Sequence, residues 1–207
     1  HKIETHWNIS NAPNIVDTYK KLTHHFVSDP TSFLKRMINS FEFKNNYNYR
    51  SIWKKDDFKN RDLQSAYMES VPFSDLKTFY LINELLPEKC NVHLSNSSVV
   101  RYSQLFDPVP NVHYFGNRGV SGIDGSTSTV FGFAEKSDRM NVFITGDLSF
   151  LYDSNALWIE QSNLNVKIVL INNGGGGIFK IIPGPSATNS LEKGFCTAHE
   201  HSFEKLI

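Results

Sequence analysis

From Pro72 onward the chain alternates short, unbroken apolar runs with longer stretches of helical periodicity. Val92-His93-Leu94, Val112–Phe115, Val142–Thr145 and Val166–Ile171 lack the polar alternation of a strand with one wet face. They predict strands covered on both sides. Between them lie helical stretches at Ser98–Phe106, Ser126–Glu135 and Phe150–Gln161, and Ser74 is a credible N-cap for a helix through Leu86. This alternation predicts an α/β fold built on a doubly wound parallel sheet. Ahead of Pro72 the pattern is less regular. It predicts a strand at His6–Ile9, a helix over Ile15–Phe26, and a second helix opened by Asp29-Pro30 and running to Phe41. Residues 42–71 mix dense charge with Tyr47, Tyr49, Trp53, Phe58 and Tyr67 after an Asn45-Asn46 break. That segment reads as a long amphipathic connecting helix with a solvated charged face.

Two of the strands end on chemistry. The run Asn141–Thr145 empties into Gly146-Asp147-Leu148-Ser149, and Val166–Ile171 empties into Asn172-Asn173 and four glycines, Gly174–Gly177. A crossover helix and one strand separate Asp147 from Asn173, and a strand precedes Asp147, so both ends belong to neighbouring parallel strands. In such sheets ligands bind beyond the C-terminal strand ends. A hard divalent cation takes oxygen ligands and is held by one or two protein groups plus ligand phosphates. Asp147 supplies charge, Asn173 a neutral carbonyl, and the glycine run could add a backbone carbonyl. Glycine lets the main chain approach a diphosphate closely. Gly-Asp and Asn-Asn-Gly are also common turns taken singly; the spacing of the pair favours the binding reading.

Composition narrows the classes. Lys+Arg and Asp+Glu both number 21, which offers no basic field for nucleic acid or an anionic membrane. With 40% hydrophobic and 13% aromatic residues the chain can build a core, while no apolar run approaches a bilayer span. Cys90 and Cys196 show no metal spacing and read as buried thiols of a reducing compartment. No pair among His93, His113, His199 and His201 has metal-ligand spacing either, and none is assigned a role.

The Asp147 and Asn173 pair resembles the thiamin-diphosphate motif, Gly-Asp-Gly followed by Asn-Asn, with Leu148 in place of the third glycine. Gly-Asp-Leu-Ser looks like one branch, the menaquinone-pathway 2-succinyl-5-enolpyruvyl-6-hydroxy-3-cyclohexene-1-carboxylate synthases. Three further segments are similar to that branch: Ser97–Arg101, Asn117–Gly125 and Gly177-Ile178-Phe179. The resemblance is specific over about residues 90–200 and weaker toward the N-terminus. Acetohydroxyacid synthases and other thiamin-diphosphate carboligases remain an alternative, disfavoured by Leu148 and Asn117-Arg118-Gly119. A non-catalytic cofactor-binding module is another; a generic NAD domain is unlike this chain, which has no Gly-x-Gly-x-x-Gly at the first strand turn.

The resemblance implies a fold and a set of roles. Residues 1–41 correspond to the tail of a middle domain, 42–71 to a connecting helix, and 72–207 to a C-terminally incomplete diphosphate-binding domain. The chain opens on His1 and stops at Leu206-Ile207, so a fragment, inactive by itself, is expected. Ser121, Gly122, Ile123, Gly146, Asp147, Leu148, Ser149, Asn173 and Gly175 would contact thiamin diphosphate. Asp147, Asn173 and Gly175 would hold Mg2+ (or Mn2+). Ile123 would wedge the cofactor into its bent conformation, and with Arg118, Arg101 and Ser97 it is expected in the catalytic set. Ser97, Arg101, Arg118, Ile178 and Phe179 would meet substrate, the guanidinium of Arg118 pointing into the crevice toward a carboxylate. Gly177 stands where some relatives carry a polar side chain. The implied activity is a transferase of the bacterial cytoplasm, a homodimer or dimer of dimers. It would decarboxylate 2-oxoglutarate and add the succinyl unit to isochorismate. An activating glutamate would come from outside this chain.

Overall fold

A computed structural model describes residues 4–42, 48–159 and 165–204. The chain divides into two compact units, His1–Asp62 and Leu63–Ile207. In the first, β1 (Trp7–Ser10) and β2 (His24–Val27) pair in parallel, Trp7 opposite His24. Helix α1 (Pro30–Ser40) follows, with Asp29 accepting a 2.7 Å hydrogen bond from the Ser32 amide and proline at the first turn. Trp7, Phe26 and Phe33 cluster, with ring centroids 4.8 to 6.3 Å apart. The helix expected over Ile15–Phe26 is not formed. Asp17 turns its carboxylate back to the amides of Lys21 and Leu22 and closes a local turn instead. The Thr23 hydroxyl then donates to the His6 carbonyl and accepts from the His6 amide, which registers the following residues as a strand.

Helix α2 (Tyr49–Ser70) supplies residues to both units, and its Met68 is buried. The second unit continues with α3 (Asp75–Leu85), capped by the Ser74 hydroxyl on the Lys77 amide at 3.3 Å. Then come β3 (Asn91–Leu94), α4 (Ser98–Ser103), β4 (His113–Gly116), α5 (Ser126–Ala134), β5 (Asn141–Gly146), α6 (Asp147–Tyr152), β6 (Val166–Ile171) and α7 (Ile178–Ile181). The sheet is parallel throughout, in the order β4-β3-β5-β6. Strand order therefore reverses between β3 and β5, the position at which open α/β sheets form their ligand crevice. Ser95 and Gly146 meet there, at the C-terminal ends of the two strands.

Alternation along the strands sends side chains to two covered faces. Val92, Leu94, Val142 and Ile144 join Phe79, Val99 and Val100 in one core cluster. His93 and Phe143 face the other way, where His93 stacks on Phe115 and meets Phe133 of α5 edge-on. Phe143 and Phe150 are fully buried, each worth roughly 1.5–3 kcal/mol of transfer free energy. Two helices differ in extent from the sequence expectation. Helix α4 stops at Ser103, and the crossover begins three residues early, at Asp147, then gives way after Tyr152 to a 3-10 turn (Ser154–Trp158). Asp153 breaks it: its buried carboxylate caps α5 instead, accepting from the Ser128 amide (2.7 Å) and hydroxyl (2.9 Å). Gln161, the expected end of that helix, lies outside the described residues.

A polar cluster is buried at the opposite end of β3 and β5. Asn141 Oδ1 accepts from Asn91 Nδ2 and from His93 Nε2, each at 3.1 Å. Burial pushes the His93 pKa down from its ordinary 6.5. Because the folded value lies below the unfolded one, the stability this neutral ring contributes is intact above pH 6.5 and lost as pH falls through the folded value. Denaturant melts between pH 7 and 5 should show this loss, and His93→Gln should flatten the slope; an unchanged slope would assign the acid sensitivity elsewhere.

Candidate functional site

A cavity of about 310 Å3 opens beyond the C-terminal ends of β3, β5 and β6. Asp147 stands at its centre of charge, buried at 2% exposure as the first residue of α6. Its Oδ2 accepts 2.9 Å hydrogen bonds from the amides of both Gly174 and Gly175, and its Oδ1 accepts from the Leu148 amide at 2.6 Å. The strand pairing makes this possible, since Gly146 lies opposite Ile171 and the two turns emerge side by side. Asn173 donates its Nδ2 to Asp75 Oδ2 at 2.8 Å, which leaves its Oδ1 as a ligand oxygen. Two carboxylates, Asp75 and Asp147, thus line a cavity whose wall, among the described residues, carries no lysine or arginine.

The glycine run is shaped by what packs on it. Gly174 and Gly175 have φ of +80° and +135°, and a Cβ on Gly175 would stand 2.5 Å from the Cys196 carbonyl oxygen. That segment runs back along the turn, with the Gly176 amide bonded to the Cys196 carbonyl (2.7 Å) and the His199 amide to the Gly174 carbonyl (3.3 Å). Gly177, by contrast, has a helical φ of −55°. A Cβ there would meet only Asn173 Nδ2, at 3.8 Å.

A second hub holds the opposite wall. Buried Asn96, at the end of β3, donates its amide to the carbonyls of Asn117 and Gly122, and its Oδ1 accepts from Arg118 Nη1 at 2.7 Å. The Ser149 hydroxyl donates to the Ile123 carbonyl at 2.6 Å. The loop carrying Ile123 is therefore tied from β3 on one side and from α6 on the other. Ser97 sits at φ +72° and Ser121 at φ +60°, left-handed conformations that are strained for a side-chain-bearing residue.

The residues singled out from sequence divide cleanly. Ser97, Ser121, Ile123, Gly146, Asp147, Leu148, Ser149, Asn173, Gly175 and Phe179 line the cavity. Gly122 stands just behind it, its carbonyl taken by Asn96. Ile178 is buried in α7 rather than in the wall. Arg101 and Arg118 are exposed and outside the lining. Where the sequence placed the Arg118 guanidinium in the crevice, Asn96 captures it at the strand end. Sequence reading passed over Asn96, Asp75 and His199. The first two had a legible cue, since they adjoin the strand-end Ser97 and the helix-capping Ser74.

The donor set fits a hard cation. Among the described residues no group of three or more His, Cys, Asp or Glu could hold a metal, so a cation here would rest on no more than the two lining carboxylates, Asp75 and Asp147, and on neutral oxygens. Asp147, Asn173 Oδ1 and the Gly175 carbonyl are such a set, and a diphosphate entering beside two carboxylates needs a cation between them. Asp147 retains capacity for it: Oδ2 faces two amides, whereas Oδ1 has the single Leu148 amide.

No family model matches the chain. Individual relatives do. A 2-succinyl-5-enolpyruvyl-6-hydroxy-3-cyclohexene-1-carboxylate synthase of Flavobacterium johnsoniae is 44% identical over 201 residues, 97% of this chain and 36% of the relative. A synthase of the same name from Phocaeicola vulgatus is 38% identical over 205 residues, 99% of this chain and 35% of the relative. One from Christiangramia forsetii is 45% identical over 141 residues, 68% of this chain and 24% of the relative. The chain belongs to this synthase family. It spans about a third of the length of the synthases it matches, 36% for the Flavobacterium johnsoniae protein. Its own described residues contain no helix long and apolar enough to cross a membrane.

The glycine turn gives a contrast of sign. Gly175→Ala should destabilise the second unit by more than about 1 kcal/mol, because its φ and the Cys196 carbonyl both exclude a Cβ. Gly132→Ala, at an exposed position of α5 where a Cβ meets nothing, should stabilise by about 0.5–1 kcal/mol. Urea melts of the two variants check the pair.

Proposed function

We propose that this chain forms the diphosphate- and metal-binding half of a thiamin-diphosphate-dependent synthase, and that the complete protein decarboxylates 2-oxoglutarate and adds the succinyl unit to isochorismate. The observation that carries the reading is the carboxylate of Asp147 braced by Gly174 and Gly175, with Asn173 at the adjacent strand end. Membership of the synthase family supports it. In this reading residues 72–207 are the diphosphate-binding domain, 1–41 the tail of a middle domain and 42–71 the connection. The active protein is a cytoplasmic homodimer or dimer of dimers, with the activating glutamate supplied from outside this chain.

When bound, thiamin diphosphate supplies a nucleophilic carbon and an electron sink for decarboxylation. The protein's part is placement. Asp147, Asn173 Oδ1 and the Gly175 carbonyl would hold Mg2+ or Mn2+, and Gly146, Leu148 and Ser149 would contact the cofactor. Ile123 would serve as the apolar wedge for the cofactor, and Ser149 fixes its loop through the Ile123 carbonyl. Ser121 and Gly122 offer backbone contacts. Ser97 and Phe179 line the space left for substrate, and Ile178 is buried in the same short helix as Phe179. Arg118 and Arg101 meet substrate carboxylates. Asn96 presets Arg118: its Oδ1 holds one guanidinium nitrogen at 2.7 Å and leaves the remaining donors for a carboxylate fork.

Calorimetric titration of thiamin diphosphate into the complete protein should give binding with Mg2+ that disappears in EDTA. Asp147→Ala should abolish the metal-dependent binding while leaving the circular dichroism spectrum intact; retained activity at ordinary Mg2+ would refute the metal assignment. Arg118→Ala should lower kcat/KM roughly ten- to 150-fold, as expected for losing a charged hydrogen bond of about 1.5–3 kcal/mol. Cofactor affinity should not change, and parental kinetics would remove Arg118 from the substrate site.

A further inference from the structure

One buried side chain near the cavity is left without a well-formed partner. The His199 side chain is 8% exposed, and its Nε2 stands 3.2 Å from Asp147 Oδ2. Nε2 is buried, yet no hydrogen bond of acceptable alignment satisfies it. The other ring nitrogen settles the tautomer. Nδ1 accepts a 3.2 Å hydrogen bond from the His201 amide, and an imidazole nitrogen that accepts carries no proton. The ring proton of neutral His199 is therefore on Nε2, the atom beside the carboxylate. Packing keeps the ring in place: the His201 ring stacks on it at 5.0 Å, and Phe203 meets it edge-on at 6.2 Å.

We propose that His199 is a positioning residue for the metal-binding carboxylate, donating from Nε2 to Asp147 Oδ2 so that Oδ1 is presented to the cation. The inference rests on the reading that Asp147 holds the metal. Oδ2 is then the braced oxygen, facing the two glycine amides and the imidazole, and Oδ1 the working one. His199 is not a ligand here, because its protonated nitrogen offers no lone pair to a metal. A carboxylate free to rotate would exchange the two oxygens and lose this division. Outer-shell donors that orient metal ligands are typically worth roughly ten- to a hundredfold in metal affinity. The same ring also pins the returning segment to the turn, since the His199 amide bonds the Gly174 carbonyl.

The test is Mn2+ binding to the complete protein in saturating thiamin diphosphate, followed by the electron paramagnetic resonance signal of free Mn2+. His199→Leu, which fills the space without a donor, should weaken Mn2+ binding roughly ten- to a hundredfold. His199→Gln, which keeps a donor near the Nε2 position, should restore most of it. His199→Met replaces the leucine variant if that variant does not fold. Parental Mn2+ affinity in His199→Leu, with affinity lost in Asp147→Ala, would overturn the role of His199 and leave the metal reading standing. Equal weakening in the leucine and glutamine variants would make the effect one of packing and overturn it too. Parental Mn2+ affinity in Asp147→Ala would overturn both.

Discussion

The carboxylate of Asp147 joins two strand ends, and much of the second unit is organised around keeping it satisfied. A buried carboxylate carries a desolvation penalty of several kcal/mol unless it is well paired. Here the relief comes from the Gly174 and Gly175 amides, each charged hydrogen bond worth about 1.5–3 kcal/mol. Aiming two successive amides at one oxygen requires the left-handed backbone of the glycine turn. That backbone allows the 196–199 segment to lie directly on it, close enough that no Cβ fits at Gly175. Burial of the charge, the conformation of the turn and the course of the following chain are thus one constraint seen from three sides.

Asn96 plays the matching part on the far wall, with neutral groups instead of a charge. It sits where β3 ends, next to β5 in the sheet, so the two hubs flank the point at which strand order reverses. One hub shapes the oxygen set suited to a cation. The other fixes the loop of Ile123 and the side chain of Arg118. Ser149 links them, because it belongs to the same short helix as Asp147 and holds the Ile123 carbonyl. A shift of α6 would therefore move Asp147 and the loop of Ile123 together.

Much of this was legible in the sequence, because buried parallel strands and glycine turns leave strong local patterns. The four sheet strands of the second unit, the capped helices at Asp29 and Ser74, and the pairing of the Asp147 and Asn173 strand ends all follow from periodicity and turn chemistry. What was not legible depends on partners distant in the chain. Asp153 ends the crossover helix early because it is needed at Ser128, and Ile15–Phe26 gives up its helix to a side-chain turn and a strand pairing with residues near His6. Asn96 looked like one more polar residue among serines, since its bonds reach the 117–122 loop. His199 approaches the site through a contact spanning some fifty residues, and no local spacing announces it.

The four consecutive glycines invite reading as a single flexible element, yet they are unequal in what they would tolerate. Gly175 and Gly176 are walled in by the Cys196 and Phe195 carbonyls and the Phe179 ring, whereas Gly177 has helical backbone and open space before it. Substitution is thus forbidden at the heart of the run and permitted at its last member, whose nearest neighbour would be the amide of Asn173. Evolutionary drift in this turn has one outlet. A lineage could place a new polar side chain at that position and alter what the cavity recognises, while the backbone that braces Asp147 stayed untouched.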